Sequence, residues 1–448
     1  MDVSHQIKRF ADVTGAMRAA RASAERERWS PAALEAHRTE RLSELARRAT
    51  EGSPFWRDRL SGALRADGSL DLSAVPPLTK SEMMEHWDDA VTDRRLRRDE
   101  VLEHLDGLDH DTMWLGEYRA MTTSGSSGLK GLFVYDRPAW RGLLMQFFRY
   151  NAFVGVGPRL PRRLRVGAVG GTAPTHMSQR LAATAGIGIN RVMPLSVTSP
   201  VVDLVAALNS FQPDHFHSYP SVAAVLADEQ IAGRLRIAPK TISTSSELRT
   251  AETADKIAQA FGVRPYDLFG TTEGLWGCEC EERCGMHLFD DMCIVENLGD
   301  RLLVTNLFNY AQPLIRFEVT DVMSFTDEPC ACGRTLTRLR SVEGRTDDVL
   351  QLPGAGGKRV PVHPMQFGVV TADPAVREFQ VVGGDDGLRL RLVLRDDADA
   401  DAAAERLRDR VCAKLAAAGV ESPAVEVELL DALERSPAGK LPVVVAAS

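Results

Sequence analysis

The sequence predicts an α/β protein: a large N-terminal domain of helices and mixed, largely parallel sheets, followed by a small α+β domain. Three observations carry this. Residues 1 to about 110 read as helical, with apolar residues at helical spacing among Arg and Glu from Ala32 to Ala49. From about residue 120, strands alternate with helices, the pattern of a parallel sheet whose ligands sit at the carboxyl ends of the strands. Near the end, Leu388 to Leu394 alternates like a strand, Ala402 to Ala418 is helical, and Val425 to Leu430 is a strand again. The boundaries implied are 1–110 for a helical part of the large domain, 111–345 for its core and 346–448 for the small domain.

Taken in order, Pro54-Phe-Trp56 and Pro76-Pro-Leu-Thr79 interrupt the first helices. This segment shows no chemistry and is expected to cover a core. The stretch Met121-Thr-Thr-Ser-Gly-Ser-Ser-Gly-Leu-Lys-Gly131 holds three glycines and five hydroxyl residues. Its backbone N–H groups can form an anion-binding nest, and its hydroxyls add donors. It lies between two strands, so it is a hairpin loop and not a Walker A loop. On its own it is equally compatible with a surface turn. Leu164 to Gly171 is a strand and Met177 to Ala185 a helix. His215 to Pro220 ends a strand before the helix Ser221 to Glu229. Ala238 to Ser245 is a strand, Ala251 to Phe261 a helix, and Val263 to Phe269 a strand running into Gly270-Thr-Thr-Glu-Gly274. His176, Tyr219, Ser246-Glu247 and Phe269 to Glu273 therefore fall at strand ends. Arg301 to Asn306 and Pro313 to Phe317 begin a β-richer stretch, and a Gly-rich turn follows at Pro353 to Gly357.

The chain has 448 residues, 44% hydrophobic and 26% charged, with net charge −8. That balance argues against nucleic acid, which needs a concentrated basic surface. No apolar run reaches membrane-spanning length, and the charged N-terminus is not a signal peptide, so the expected location is cytoplasmic with no membrane partner. The seven cysteines are clustered. Cys278, Cys280 and Cys284 precede His287, and Cys330 and Cys332 follow. Short Cys-x-Cys and Cys-x-x-His pairs bring two soft ligands to one ion, and two such pairs make a tetrahedral Zn²⁺ site. Spacing alone leaves open which four bind, and a group of unliganded thiols is the plainer alternative. Cys293 and Cys412 are expected in the core.

Five stretches in order carry a resemblance. They are Thr123-Ser-Gly-Ser-Ser-Gly128, Asp267-Leu-Phe-Gly-Thr-Thr-Glu273, Leu314-Ile-Arg-Phe-Glu-Val-Thr-Asp321, Gly344-Arg-Thr-Asp-Asp348 and Gly439-Lys440. Over nearly its whole length the chain resembles the adenylate-forming enzymes, in particular the phenylacetate–coenzyme A ligase branch. The resemblance implies ATP-dependent activation of a carboxylic acid, aromatic or otherwise small, through an acyl-adenylate. Transfer to a thiol, usually coenzyme A, follows, and the small domain moves between the steps.

It also implies roles. Ser124, Gly125, Ser126, Ser127, Gly128 and Lys130 would cradle phosphates, although the family's Pro after the Gly-x pair is absent here. Asp267, Phe269, Gly270 and Thr271 would form the adenine strand, with Phe269 in place of the usual Tyr; stacking needs only the ring face. Ser246 and Glu247 would flank adenine. Thr272 would meet the α-phosphate and Glu273 would hold Mg²⁺, a hard cation suited to carboxylate oxygen. Asp321 would accept from both ribose hydroxyls, Arg345 would face ribose or phosphate, and Asp347 would be the hinge. Lys440 would neutralise charge developing during adenylation. Candidates for the acid pocket are Tyr150, Gly171, His176, Tyr219, Pro220 and Gly274. The pattern of zinc-bearing relatives points to Cys280, His287, Cys330 and Cys332.

After Asp348 the stretch Leu352 to Pro364 departs from the family's thioester-forming loop. A carrier-protein thiol or an amine therefore stands as an alternative acceptor to coenzyme A, and a non-catalytic nucleotide-binding protein as a third reading. A homodimer is compatible with all of these.

Overall fold

The computed structural model describes residues 3–123, 130–157, 162–299, 301–383, 387–421, 423–436 and 439–446. The N-terminal part is helical as expected. Helix Pro31–Gly52 starts where the Ser30 hydroxyl accepts the Ala33 N–H, with Pro31 in the first turn, where its missing N–H costs nothing. It stops before Pro54 because the residue preceding a proline avoids helical backbone; Ser53 is extended and caps the next helix, Pro54–Leu60. Leu42, Leu45, Ala46 and Ala49 face the main core.

Strands β1 (Arg119–Thr122) and β2 (Leu132–Tyr135) form the expected antiparallel hairpin. The central sheet has nine strands. Five run parallel: β3 (Arg165–Gly170), β4 (Arg191–Ser196), β5 (His215–Ser218), β6 (Thr241–Ser245) and β7 (Tyr266–Gly270). Strands β8 (Trp276–Glu279) and β9 (Met286–Leu288) continue it antiparallel. After β10 (Cys293–Asn297), β11 (Leu302–Asn306) and β12 (Phe317–Val319), which form a separate sheet, β13 (Asp321–Thr326) and β14 (Arg338–Arg345) return to complete it. The order is β13-β14-β9-β8-β7-β6-β5-β3-β4, so β4 is an edge. An edge strand tolerates Pro194, and that proline hides β4 from a sequence reading.

The small body contains the hairpin β15 (Leu350–Pro353) and β16 (Arg359–Val362). Its sheet consists of β17 (Val376–Gly383), β18 (Leu388–Leu394), β19 (Val425–Leu429) and β20 (Val444–Ala446), in the order β19-β18-β17-β20. The expected β-α-β unit is there, with Ala400–Ala417 as its helix, enlarged by β17 and β20. A core running from Leu350 to Val444 draws on no residue of the large body. Polar contacts join the bodies. Asp228 of the large body pairs with Arg395 of the small one, and Arg435 reaches the Ser221 hydroxyl at 3.2 Å. Among the described residues no helix is long and apolar enough to cross a membrane.

Candidate active site

The parallel strands end on one side of the sheet, and the candidate residues gather there. After β7 the chain turns tightly: the Thr271 N–H donates to Leu275 O at 3.0 Å and the Gly274 N–H to Thr271 O at 3.1 Å. Three side chains pin the outer carbonyls of this turn. The Tyr135 hydroxyl donates to Thr272 O at 2.6 Å, the Asn306 amide to Glu273 O at 2.7 Å, and the Gln146 amide to Gly274 O at 3.3 Å. Gly274 has φ +100°, and a Cβ there would lie 2.3 Å from Asn306 Nδ2. Its glycine is thus required by the turn, with no part in the acid pocket. The Glu273 and Thr272 side chains stay half-buried at the strand ends.

Asp321 opens β13 and Arg345 closes β14, and the two are directly paired in register. Their charged groups lie 4.0 Å apart. Lys440 comes from the small body to the same place. It sits in a turn in which the Ser436 N–H donates to Lys440 O at 2.9 Å and the Lys440 N–H to Ser436 Oγ at 3.1 Å. Burial, and then the Arg345 cation, hold the Lys440 amine below its usual range, while Glu247 and Asp321 pull the other way. Burial raises the Asp321 carboxyl against the pull of Arg345 and Lys440. Burial also raises Glu273, and the neighbouring Asp321 adds to this. His176 is lowered by burial, with Lys440 and Lys130 adding to it. A group of partly desolvated charges of both signs thus converges from three segments distant in sequence.

Glu247 is committed differently from the sequence expectation. Its two oxygens accept the Leu441 N–H at 2.7 Å and the Ser221 N–H at 3.1 Å. It ties the small body to the strand ends instead of pointing at a base. Ser246 beside it is exposed with φ +72°, a left-handed conformation uncommon outside glycine. Asp267 is also drawn inward: it lies 3.6 Å from Arg249, accepts from the Thr244 hydroxyl at 3.4 Å, and burial raises it to about 7. Phe269 and Gly270 remain at the strand end, half-buried and exposed respectively. Lys130 is exposed beside the phosphate-loop candidate. Ser124, Gly125, Ser126, Ser127 and Gly128 lie outside the described residues. The ends of their loop are closed by Thr123 N–H to Gly131 O at 3.0 Å and Gly131 N–H to Thr123 Oγ1 at 2.9 Å. Asp347 lies in the 3-10 turn Thr346–Asp348 between β14 and β15, its side chain outside the described residues.

Beneath the strand ends lies a cavity of about 810 Å³. Tyr150, Gly171 and Tyr219 line it, whereas His176, Pro220 and Gly274 do not. Pro220 is buried in the first turn of helix Pro220–Ile231, where it starts the helix. Sequence reasoning missed His217, Trp276 and Met177, which also line the cavity. The signal for His217 was available: His215 and His217 alternate with period two and so share a sheet face.

Behind the Glu273 turn, ligand atoms of Cys280, His287, Cys330 and Cys332 lie within 4.8 Å of one another. Cys280 Sγ and Cys330 Sγ are 3.6 Å apart, and Cys332 Sγ is 3.4 Å from His287 Nε2. A tetrahedron with Zn–S bonds of about 2.3 Å has edges of roughly 3.8 Å, so the spacing suits an ion and is far too long for a disulfide. Cys284 Sγ, 3.6 Å from Cys330 Sγ, stands at the rim and also accepts from Arg338. Cys278 turns away to its neighbour's carbonyl.

No family model matches the chain. It is 26% identical over 382 residues, 78% of each chain, to a phenylacetate-coenzyme A ligase of Thermus thermophilus. A 2-hydroxyisobutyryl-CoA ligase, solved in the postadenylation state with R3-HIB-AMP, is 21% identical. It superposes with a TM-score of 0.72, covering 94% of this chain and 91% of the other. The same ligase with 2-HIB-AMP and CoA in its thioesterification state gives 0.58, at 20% identity and the same coverage. Over most of its length the chain is thus similar in sequence to a phenylacetate-coenzyme A ligase and in fold to a ligase solved with an acyl-adenylate.

Proposed function

We propose that the protein is an AMP-forming acid–CoA ligase. It activates a carboxylic acid with ATP, releases pyrophosphate, and passes the acyl group to coenzyme A. One observation carries this reading: Lys440, delivered by the small body, meets Asp321 and Arg345 at the strand ends, and the same pair neighbours Glu273. Attack of a carboxylate on the α-phosphate of ATP brings two anions together. A lysine held in a partly desolvated site can neutralise charge as it develops, and fixed geometry removes the entropic cost of alignment. In this reading Asp321 accepts from the ribose hydroxyls, and Arg345 faces ribose or phosphate. Thr272 meets the α-phosphate, and Lys130 and the 124–128 loop meet the outer phosphates. Phe269 offers its ring face to adenine.

Glu273, raised by burial and by Asp321, suits a site that a divalent cation relieves; when bound, Mg²⁺ supplies charge neutralisation of the phosphates. Cys280, His287, Cys330 and Cys332 leave no open ligand position, which suits a structural zinc. The small body, bounded near residue 346, is the part that moves, with Asp347 at the hinge. A reaction using ATP and coenzyme A fits the cytoplasm.

The test is pyrophosphate release from ATP and Mg²⁺ across a panel of carboxylic acids, with and without coenzyme A. The reading requires acid-dependent release, and an acyl-CoA product when the thiol is present. Release indifferent to acid rejects it.

A further inference from the structure

The cavity beneath the strand ends is far larger than a single-ring acid needs. A void of about 150 Å³ suffices for benzene, and this one holds about 810 Å³, of which the end beside Ser246 and Gly270 faces the proposed nucleotide site. Its shape follows from the sheet. Alternate residues of neighbouring parallel strands face it in three layers, set by the register. Gly170 and Tyr219 form the layer nearest the strand ends, Ala168 and His217 the middle one, and Val166 and His215 the deepest. Four residues separate Gly170 from Val166, so the cavity follows the strand for about 13 Å. The opposite wall comes from the N-terminal helix and from helices Arg137–Phe153 and Met177–Ala185. Where a short pocket would have a bulky floor, small residues such as Ala168, Ala182 and Ala185 stand.

Polar groups on the wall are partly engaged: among the described residues, Tyr150 Oη, Asn190 Oδ1, Trp276 Nε1 and Arg149 Nη2 have no hydrogen-bond partner, whereas the histidines and one ion pair are satisfied. His217 contacts the Ser243 and Ser245 hydroxyls at 2.9 and 3.3 Å, and His215 contacts Thr241 and Ser243 at 2.8 and 3.0 Å. Glu27 and Arg149 hold each other at 2.9 Å. Arg149 is the buried cation of this wall, and it is paired through Nε with Glu27 and through Nη1 with Asp291.

We infer that the acid is elongated and largely apolar, an acyl chain of roughly ten carbons or its equivalent in fused or linked rings. Its carboxylate sits by Gly170 and Tyr219 and its tail runs down the sheet face to Val166 and His215. This rests on the proposed adenylation.

The experiment compares straight-chain acids from acetate to dodecanoate, with phenylacetate, in the pyrophosphate assay. It also measures decanoate binding to the ATP-free protein by calorimetry. We expect kcat/KM to rise about fourfold per methylene until the cavity is full, with phenylacetate well below decanoate. Ala168→Phe puts a ring into the middle layer, and Ala182→Phe puts one on the opposite helical wall. Each should cut decanoate activity at least tenfold while leaving butyrate within about twofold. Activity confined to short or single-ring acids overturns the inference and leaves adenylation standing. If no acid drives release, the functional reading fails, and the calorimetry still decides the cavity: absence of decanoate binding overturns the inference. Unchanged chain-length preference in both ring-bearing variants also overturns it.

Discussion

At the scale of single residues, Lys440 and Glu247 stand where the small body meets the strand ends. Lys440→Ala removes the amine and leaves the backbone of its turn, whose bonds run through Ser436. Adenylation should fall by a hundredfold or more, corresponding to about 3 kcal/mol of transition-state stabilisation, with ATP binding retained. Pyrophosphate release at the wild-type rate would remove Lys440 from the mechanism. Glu247→Ala leaves the Leu441 and Ser221 N–H groups without their acceptor. On the proposed two-step reaction, with the small body moving between steps, it should slow adenylation several-fold yet spare thioester formation from supplied acyl-adenylate. Equal losses in both half-reactions would count against that role. The two residues also mark what a sequence can disclose. Lys440 is legible because the Gly before it and its place after four other motifs set it apart. Glu247 is legible as a strand-end residue, but its partners are backbone amides, which leave no trace in side-chain identity.

At the scale of elements, β5 and β6 carry a ladder of histidines and hydroxyls. Burial, followed by the neighbouring His217, lowers His215 to about 3, and burial lowers His217 to about 4. The folded protein thus keeps both rings neutral, whereas the unfolded chain protonates them near pH 6.5. Between about pH 6.5 and about pH 4 the unfolded state binds more protons. Stability is therefore full above 6.5 and declines as the pH falls through that window. Chemical denaturation at pH 7.5 and 4.5 should show the loss, and His217→Asn should lessen it; an unchanged difference would assign the acid sensitivity elsewhere. The cysteine cluster belongs to this scale too, since it joins β8 and β9 to the Cys330–Cys332 loop before β14. Elemental analysis should find one zinc per chain. Chelation should lower Tm by on the order of 5 °C or more, and a metal-free protein of undiminished Tm would leave only a group of thiols. Elements with clear terminal signals were legible. Ala251–Phe261 has Thr250 as N-cap and Gly262 in the left-handed region after it, and its predicted bounds coincide with the observed ones. Strand β4 was not, because it is a proline-bearing edge strand.

At the scale of the whole molecule, the residues after about 346 have a buried core separate from those of the preceding chain, and polar contacts such as Asp228–Arg395 and Arg435–Ser221 join the two parts. Polar seams resemble transient interfaces and permit relative motion. A protein truncated after residue 345 should remain folded and bind AMP, since Asp321, Arg345 and the Glu273 turn all stay, but should release no pyrophosphate. Circular dichroism and nucleotide titration would check this; an aggregated or unfolded product would show that the large body depends on its neighbour. The order of helical cover, parallel sheet and compact tail was legible because periodicity changes sharply along the chain. The depth of the cavity was not. It arises from what several strands and helices leave unfilled between them, and no single stretch of sequence encodes an empty volume.

The hydrogen bond between the Leu441 N–H and Glu247 also gives the protein a built-in reporter of its own opening. In heavy water the Leu441 amide can exchange only when the seam parts, whereas the adjoining Lys440 amide is bonded inside its own turn and travels with the small body. The ratio of the two exchange rates separates opening of the seam from fraying of the turn. Two neighbouring amides would thereby test the proposed domain motion in an unlabelled, unmodified protein, before any substrate is added.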